Sequence, residues 1–250
     1  MKSGLFSFFW LLPTAALAQG VFVQPNAIYT TIAAGAEART AIKVTCAEHA
    51  GERLRVDVVA FSLDVSGTPV PSRAEEHAID VAERDVTLDA NGKAEVEVRL
   101  HERGEHASFW SAVRIEMDSP QPGPRVAVVV PVFVTVEGTE SPRLEVESMN
   151  AVWSNGGITV TAMLHNTGNV VLRLPVTFAI ERGADELASD ETPPVVILPG
   201  ARRVVEARLA VAGGNAPALM ASALVRFMSD AHAEGRCKID VPVRKAAAGV

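Results

Sequence analysis

Polar and apolar residues alternate along most of this chain. Lys93–Leu100 reads KAEVEVRL, with Ala94, Val96, Val98 and Leu100 on one face and charged residues on the other. Arg236–Val241 (RCKIDV) repeats the pattern with Cys237, Ile239 and Val241. Ile158, Val160, Ala162 and Leu164 share a face, as do Val176, Phe178 and Ile180. An extended backbone sends successive side chains to opposite sides, so each run predicts a half-buried strand of an antiparallel sheet. Turn residues separate the runs. Asn91-Gly92 and Asn155-Gly156-Gly157 read as hairpin turns, Pro199-Gly200 and Gly213-Gly214-Asn215 as further turns. Many short strands with regular turns predict a β-sandwich.

Two stretches compete for helix. Ser72–Ala78 reads as a short turn of helix within a loop, and Ala216–Met228 is rich in helix formers. An internal repeat decides the second. FWSAVRIEMDS at 109–119 recurs as MASALVRFMSD at 220–230, and DANGKAEVEVRL at 89–100 recurs as LPGARRVVEARL at 198–209. Two copies of one domain are expected, so 218–228 is expected to be a strand. The polar segment Glu137-Gly-Thr-Glu-Ser-Pro142 serves as the boundary, as a short linker ending in Pro should. The expectation is an all-β chain: an immunoglobulin-like sandwich at 19–138 and a second at 139–250, each of the usual size of roughly 100 residues. The tail from Lys245 is expected to fray.

Composition narrows the function. A hydrophobic share of 48% excludes a disordered chain. Lys+Arg 23 against Asp+Glu 30, net −7, argues against nucleic acid. Lys2, the apolar block LFSFFWLL at 5–12, Pro13 and Ala16-Leu17-Ala18 form a secretory signal with cleavage after Ala18. The block is too short to span a bilayer, which takes ~20 residues. No later apolar stretch is long enough, so an exported protein without a transmembrane segment is expected.

The opening of the chain then resembles a family. Phe22-Val-Gln-Pro25, Ile28-Tyr29, Ala34-Gly35-Ala36-Glu37 and the strand Ala41–Cys46 are similar to the first strand, turn and second strand of the periplasmic chaperones of pilus assembly, the PapD-like proteins. Arg53–Phe61 (RLRVDVVAF) resembles their third strand and Arg125–Gly138 (RVAVVVPVFVTVEG) the last strand of their first domain. His165-Asn-Thr-Gly-Asn169 resembles a turn of divergent relatives. The resemblance implies a periplasmic protein that binds subunits of pili or other surface structures. It also implies two basic anchors for the subunit's terminal carboxylate. One should lie in the opening strand, where Asn26 and Ala27 stand and no Arg or Lys occurs between Gln19 and Arg39; the other corresponds to Arg125.

The last strand of the first domain carries the candidate site. Val126, Val128, Val130, Val132, Val134 and Val136 share one face, Val129 and Phe133 lie on the other, and Pro131 interrupts the donor row. Pro in a strand is confined to edges or bulges. A long apolar edge is a template for another chain, and the resemblance implies strand addition to an incomplete subunit. Arg125, Val128, Val130, Val132 and Val134 are thus the candidate partner-binding residues, with an ordinary core strand as the alternative. Cys46 and Cys237 lie on apolar faces in different domains, so two buried thiols are expected rather than a bridge. The six histidines are scattered and form no HExxH or paired-Cys motif, so no metal is expected. Neither a nucleophile elbow nor a phosphate loop occurs, so no enzyme, catalytic residue or cofactor is expected. Two other functions remain open: a structural or adhesive cell-envelope module, and a small-ligand or metal carrier of the periplasm.

Overall fold

The structure, a computed structural model, describes residues 21–46, 49–72, 78–102, 106–117, 127–154, 157–210, 220–226 and 232–240. The signal segment, Arg125, the helical turn at 72–78 apart from its two ends, Gly213–Asn215, Asn155-Gly156 and the tail lie outside the described residues. The strands are β1 (Phe22–Gln24), β2 (Ile28–Ile32), β3 (Glu37–Thr45), β4 (Arg53–Val59), β5 (Phe61–Leu63), β6 (Pro69–Pro71), β7 (Ile79–Val81), β8 (Asp85–Thr87), β9 (Lys93–His101), β10 (Ser108–Met117) and β11 (Ala127–Val136). They continue as β12 (Leu144–Ser154), β13 (Gly157–Asn166), β14 (Leu172–Leu174), β15 (Thr177–Arg182), β16 (Asp185–Glu191), β17 (Val195–Ile197), β18 (Arg202–Ala210), β19 (Met220–Arg226) and β20 (His232–Asp240). Among the described residues there is no α-helix, in keeping with the all-β expectation.

Alternation becomes burial directly. In β9, Val96, Val98 and Leu100 are buried, while Glu97 on the outer face meets Arg39 and Arg99 at 3.6 and 2.9 Å. Sheet β1-β3-β9-β7 packs on sheet β2-β11-β10-β4-β8, and the apolar rows of both enclose one core that runs from Ile28 to Val134. A second core draws on residues from Leu144 to Ala233 and centres on Phe178, Ile180 and Leu164. Fully burying each such side chain contributes roughly 1.5–3 kcal/mol relative to exposing it.

The repeat in the sequence is a repeat in space. β9 lies beside β3 as β18 lies beside β13; β10 lies between β4 and β11 as β19 lies between β15 and β20. The opening strands differ. In the first sandwich the chain leaves β1 at the cis Gln24–Pro25 bond and joins the other sheet as β2. In the second, β12 stays whole, shifts register between Val146 and Ser148, and joins β13 to β20 in one sheet of order β16-β15-β19-β20-β12-β13-β18.

One turn has a different role from the one read in the sequence. Asn91-Gly92 makes a tight turn, with Gly92 at φ 68 and its N–H donating to Asp89 O at 2.9 Å. It does not close a hairpin, because β8 before it pairs with β4 and β9 after it pairs with β3 and β7. The turn is an arch between the two sheets. Asp89 Oδ1 shapes it by accepting from the N–H groups of Asn91 (2.8 Å) and Lys93 (2.9 Å). The bond from Lys93 N–H holds this carboxyl below its ordinary pKa, with Asn91 N–H second. A lowered folded-state pKa stabilises the fold above the unfolded value, and that stabilisation is lost as pH falls through the folded one. Asp89→Asn keeps the acceptor but loses the charge. Wild type is therefore expected to exceed the variant in denaturant midpoint at about pH 7 and to match it at about pH 2; an advantage that persists in acid contradicts this.

Candidate partner-binding edge

β11 is the strand singled out by its valines. Val130, Val132, Val134 and Val136 are each at most 1% exposed and face into their own sandwich. The core between the sheets takes the side chains of Val130, Val132 and Val134. Val128 is half-buried at the rim of that core.

The other side of the strand is more informative. β10 runs antiparallel along all of β11 from Ala127 to Thr135. On the side away from β10, the strand divides. β2 pairs in parallel with Val132–Val136, starting at Ile28 opposite Val132. Among the described residues, no strand pairs with Ala127–Pro131 on that side. Ala127 and Val129 are exposed there, Val129 at 50%, and Pro131 is half-buried.

Apart from β2, the five-residue uncharged outer edge of the same sheet, the other sheet edges among the described residues are charged or short. β16 carries Asp185, Glu186, Asp190 and Glu191 and is exposed almost throughout. β18 carries Arg202, Arg203, Glu206 and Arg208. β1, β7 and β8 are three residues each. Charges and brevity are the usual defences of an edge against pairing with another chain. Ala127–Pro131 has neither a charged residue nor a partner strand.

Where β2 begins, the two sandwiches meet. Tyr29 stacks on Phe133, with ring centroids 4.9 Å apart, and Phe61 meets Phe133 edge-on at 5.9 Å. Phe61, Ala112, Phe133 and Leu198 form a small buried cluster between the sandwiches, with Trp110 at its border. The Trp110 indole N–H donates to Phe61 O at 3.0 Å. Arg173 projects from β14 with its guanidinium carbon 5.0 Å from the centre of the Tyr29 ring. Burial raises the Tyr29 pKa, and the adjacent Arg173 partly opposes the rise. Arg173 is exposed. A guanidinium laid on an aromatic face keeps its N–H fork open to an anion.

The sequence did not mark Tyr29, Phe133 and Arg173 as a group. Alternation in Leu172-Arg173-Leu174 marks Arg173 as outward, but its place over Tyr29 depends on how the sandwiches meet. The connecting segment is also held. Asn169 accepts from Ser141 N–H at 2.7 Å, donates to Thr139 O at 2.9 Å, and its carbonyl accepts the Ser108 hydroxyl at 3.0 Å. The His165–Asn169 turn thus grips the residues between the two cores.

The other candidates separate. Cys46 is buried in the first core, and the side chain of Cys237 in β20 is outside what is described. His49 pairs with Glu52 at 2.9 Å and His101 with Glu37 at 3.1 Å. Among the described residues no group of three or more His, Cys, Asp or Glu could hold a metal ion, and no helix is long and apolar enough to cross a membrane. A groove of about 630 Å³ crosses the outside of β1, β3 and β9, where Lys43 and Lys93 are offset by Asp89 and Glu95; it is apart from the β11 edge.

No family model and no curated protein matches the sequence. Solved structures do match. The class 5 fimbriae chaperone CfaA is 10% identical, with 87% of this chain and 98% of that chain covered and a TM-score of 0.50. A chain of the CsuC–CsuE chaperone–tip adhesion subunit complex from Acinetobacter baumannii is 12% identical over 89% and 99%, with a TM-score of 0.44. The CupB2 chaperone of Pseudomonas aeruginosa is 9% identical over 88% and 100%, at 0.43. The likeness to CfaA shows the fold: two immunoglobulin-like sandwiches in tandem, as in that chain.

Proposed function

We propose that this protein is a periplasmic chaperone for subunits of pili or other surface structures, and that it holds them by β-strand addition along Ala127–Pro131. The observation that carries this reading is the half-covered strand β11, whose first half is an uncharged edge ending where β2 begins. A subunit lacking a strand gains from this edge the hydrogen bonds its own sheet cannot make. Val129 and the half-buried Val128 supply apolar contact, while Val130, Val132 and Val134 keep the strand rigid from beneath.

This reading also favours a direction. An added strand cannot extend past Pro131, because Ile28 occupies the next position. A strand running parallel to β11 ends there with its C-terminal carboxylate beside the start of β2, where Arg173 stands over the Tyr29 ring. An antiparallel strand brings its N-terminal ammonium to the same guanidinium, which repels it. Arg173 thus takes the role that the resemblance assigned to a basic residue of the opening strand. Arg125, the second candidate anchor, lies outside the described residues.

The test is capture by the full chain from its own cell extract, with bound polypeptides identified by mass. A stoichiometric partner with an incomplete sandwich is expected. Arg173→Glu removes a charge-assisted fork, which is worth about 1.5–3 kcal/mol, so capture is expected to weaken by roughly tenfold or more. Undiminished capture contradicts the anchor. A protein that emerges alone and monomeric favours the envelope-module reading.

A further inference from the structure

We propose that the β5–β6 hairpin is a latch between the two sandwiches, with Arg203 as the residue that positions the second sandwich against the first. The base of the hairpin is fixed by Phe61, buried against Leu198 of the other sandwich and held by the Trp110 indole N–H. Its tip crosses to β18. Val204 N–H donates to Val65 O at 2.7 Å, a strand-type bond between the sandwiches. The Arg203 guanidinium lies flat against Gly67, where a Cβ would stand 1.4 Å from Nη1. Gly67 is also at φ +77, a left-handed conformation that favours glycine. A Cβ at this position would push the guanidinium from its present place.

The loop is shaped before it docks. Asp64 Oδ1 accepts from Ser66 N–H (2.8 Å), the Ser66 hydroxyl (2.6 Å) and Thr68 N–H (2.9 Å). These bonds, led by the Ser66 hydroxyl, hold the Asp64 carboxyl below its ordinary pKa, and Arg203 adds to the effect. The two adjacent arginines of β18 have different tasks. Arg202 makes a two-bond fork to Glu147 at 2.7 and 2.9 Å within the second sandwich. Arg203 has Nε and Nη1 buried with no hydrogen-bond partner among the described residues, and burial lowers its pKa. Nε and Nη1 are thus held by fit against Gly67 rather than by directional bonds. β14 pairs with β17, and β17 leads through Leu198 into β18. The latch thereby sets where Arg173 stands. That consequence rests on the strand-addition reading; the latch itself does not.

The experiment measures residual dipolar couplings of the free full-length protein for wild type, Gly67→Ala, Arg203→Ala and Gly51→Ala. Gly51 has φ +80 and nothing within 4 Å of a built Cβ, so it controls for backbone strain alone. In wild type and Gly51→Ala the two sandwiches are expected to share one alignment tensor. In Gly67→Ala and in Arg203→Ala they are expected to acquire different tensors while each keeps its internal couplings. A shared tensor in either of those two variants overturns the latch. Because no partner is present, this result is independent of capture: separate tensors with no captured subunit leave the latch standing and remove the chaperone reading.

Discussion

Val130→Asp is expected to unfold the first sandwich, whereas Val129→Asp is expected to leave it folded and lose the partner. The two residues are adjacent, and the difference follows from the period of a strand. Val130 is 0% exposed, between two sheets that offer it only apolar neighbours. A carboxyl placed there loses a buried side chain and meets no hydrogen-bond partner. Substitutions of this kind cost more than about 4 kcal/mol, a large share of the roughly 5–15 kcal/mol that holds a domain folded. Val129 is 50% exposed, and changes at such positions stay within about 0.5 kcal/mol. A charge at Val129 still gives the free edge the defence that β16 and β18 have. Thermal unfolding and capture, measured on both variants, separate the two effects. A folded Val130→Asp variant with the wild-type midpoint contradicts the core assignment, and full capture by Val129→Asp contradicts the edge.

The second large effect is expected at Asn166, a fully buried polar side chain with every group engaged. Its Nδ2 donates to Val170 O at 2.8 Å and Ile197 O at 3.0 Å, and its Oδ1 accepts from Gly168 N–H at 3.0 Å. Asn166→Ala takes the side-chain donor from two carbonyls in a buried site, Val170 O and Ile197 O, while Gly168 N–H keeps Arg143 O at 3.2 Å. Each unmet group costs about 1–3 kcal/mol, so a loss of about 2 kcal/mol or more is expected in the stability of the second sandwich, read from its denaturant unfolding. The same turn brings Gly168 against the connecting segment, where a Cβ would stand 2.5 Å from Arg143 N and Ser141 O. Loosening the turn is therefore expected to loosen the joint as well. A loss below about 1 kcal/mol, the usual net worth of one hydrogen bond, contradicts the role given to this amide.

The strands were legible because their period is local. Lys93–Leu100 and the valines of 126–136 announce which residues share a face, and the repeat of 109–119 at 220–230 selected strand over helix where propensity was ambiguous. Which face a strand gives to its own core, and which edge it leaves open, depends on residues far along the chain. The valine period marks one face of β11 but leaves open whether a partner or the core takes it; the side chains lie in the core, and the edge is the open feature. That edge exists because β2, about a hundred residues earlier, stops covering β11 at Val132. Asn91-Gly92 was legible as a turn but not as an arch between sheets, since pairing is decided by β3 and β4. Segment 137–142 was read as a polar linker; nothing in its own residues shows that Asn169 clamps it. Tyr29, Arg173, Gly67 and Arg203 are brought together only by the meeting of the sandwiches, so no local pattern could single them out.

Amide hydrogen exchange reads the backbone of Ala127–Val130 directly. In the free protein, the amides of this segment that point away from β10 are expected to exchange quickly, while those of Val132–Val136, covered on both sides, are protected. In the captured complex the same outer amides of Ala127–Val130 are expected to become protected and Val132–Val136 to remain unchanged. Outer amides already protected in the free protein, or equally open in the complex, would contradict strand addition at this edge.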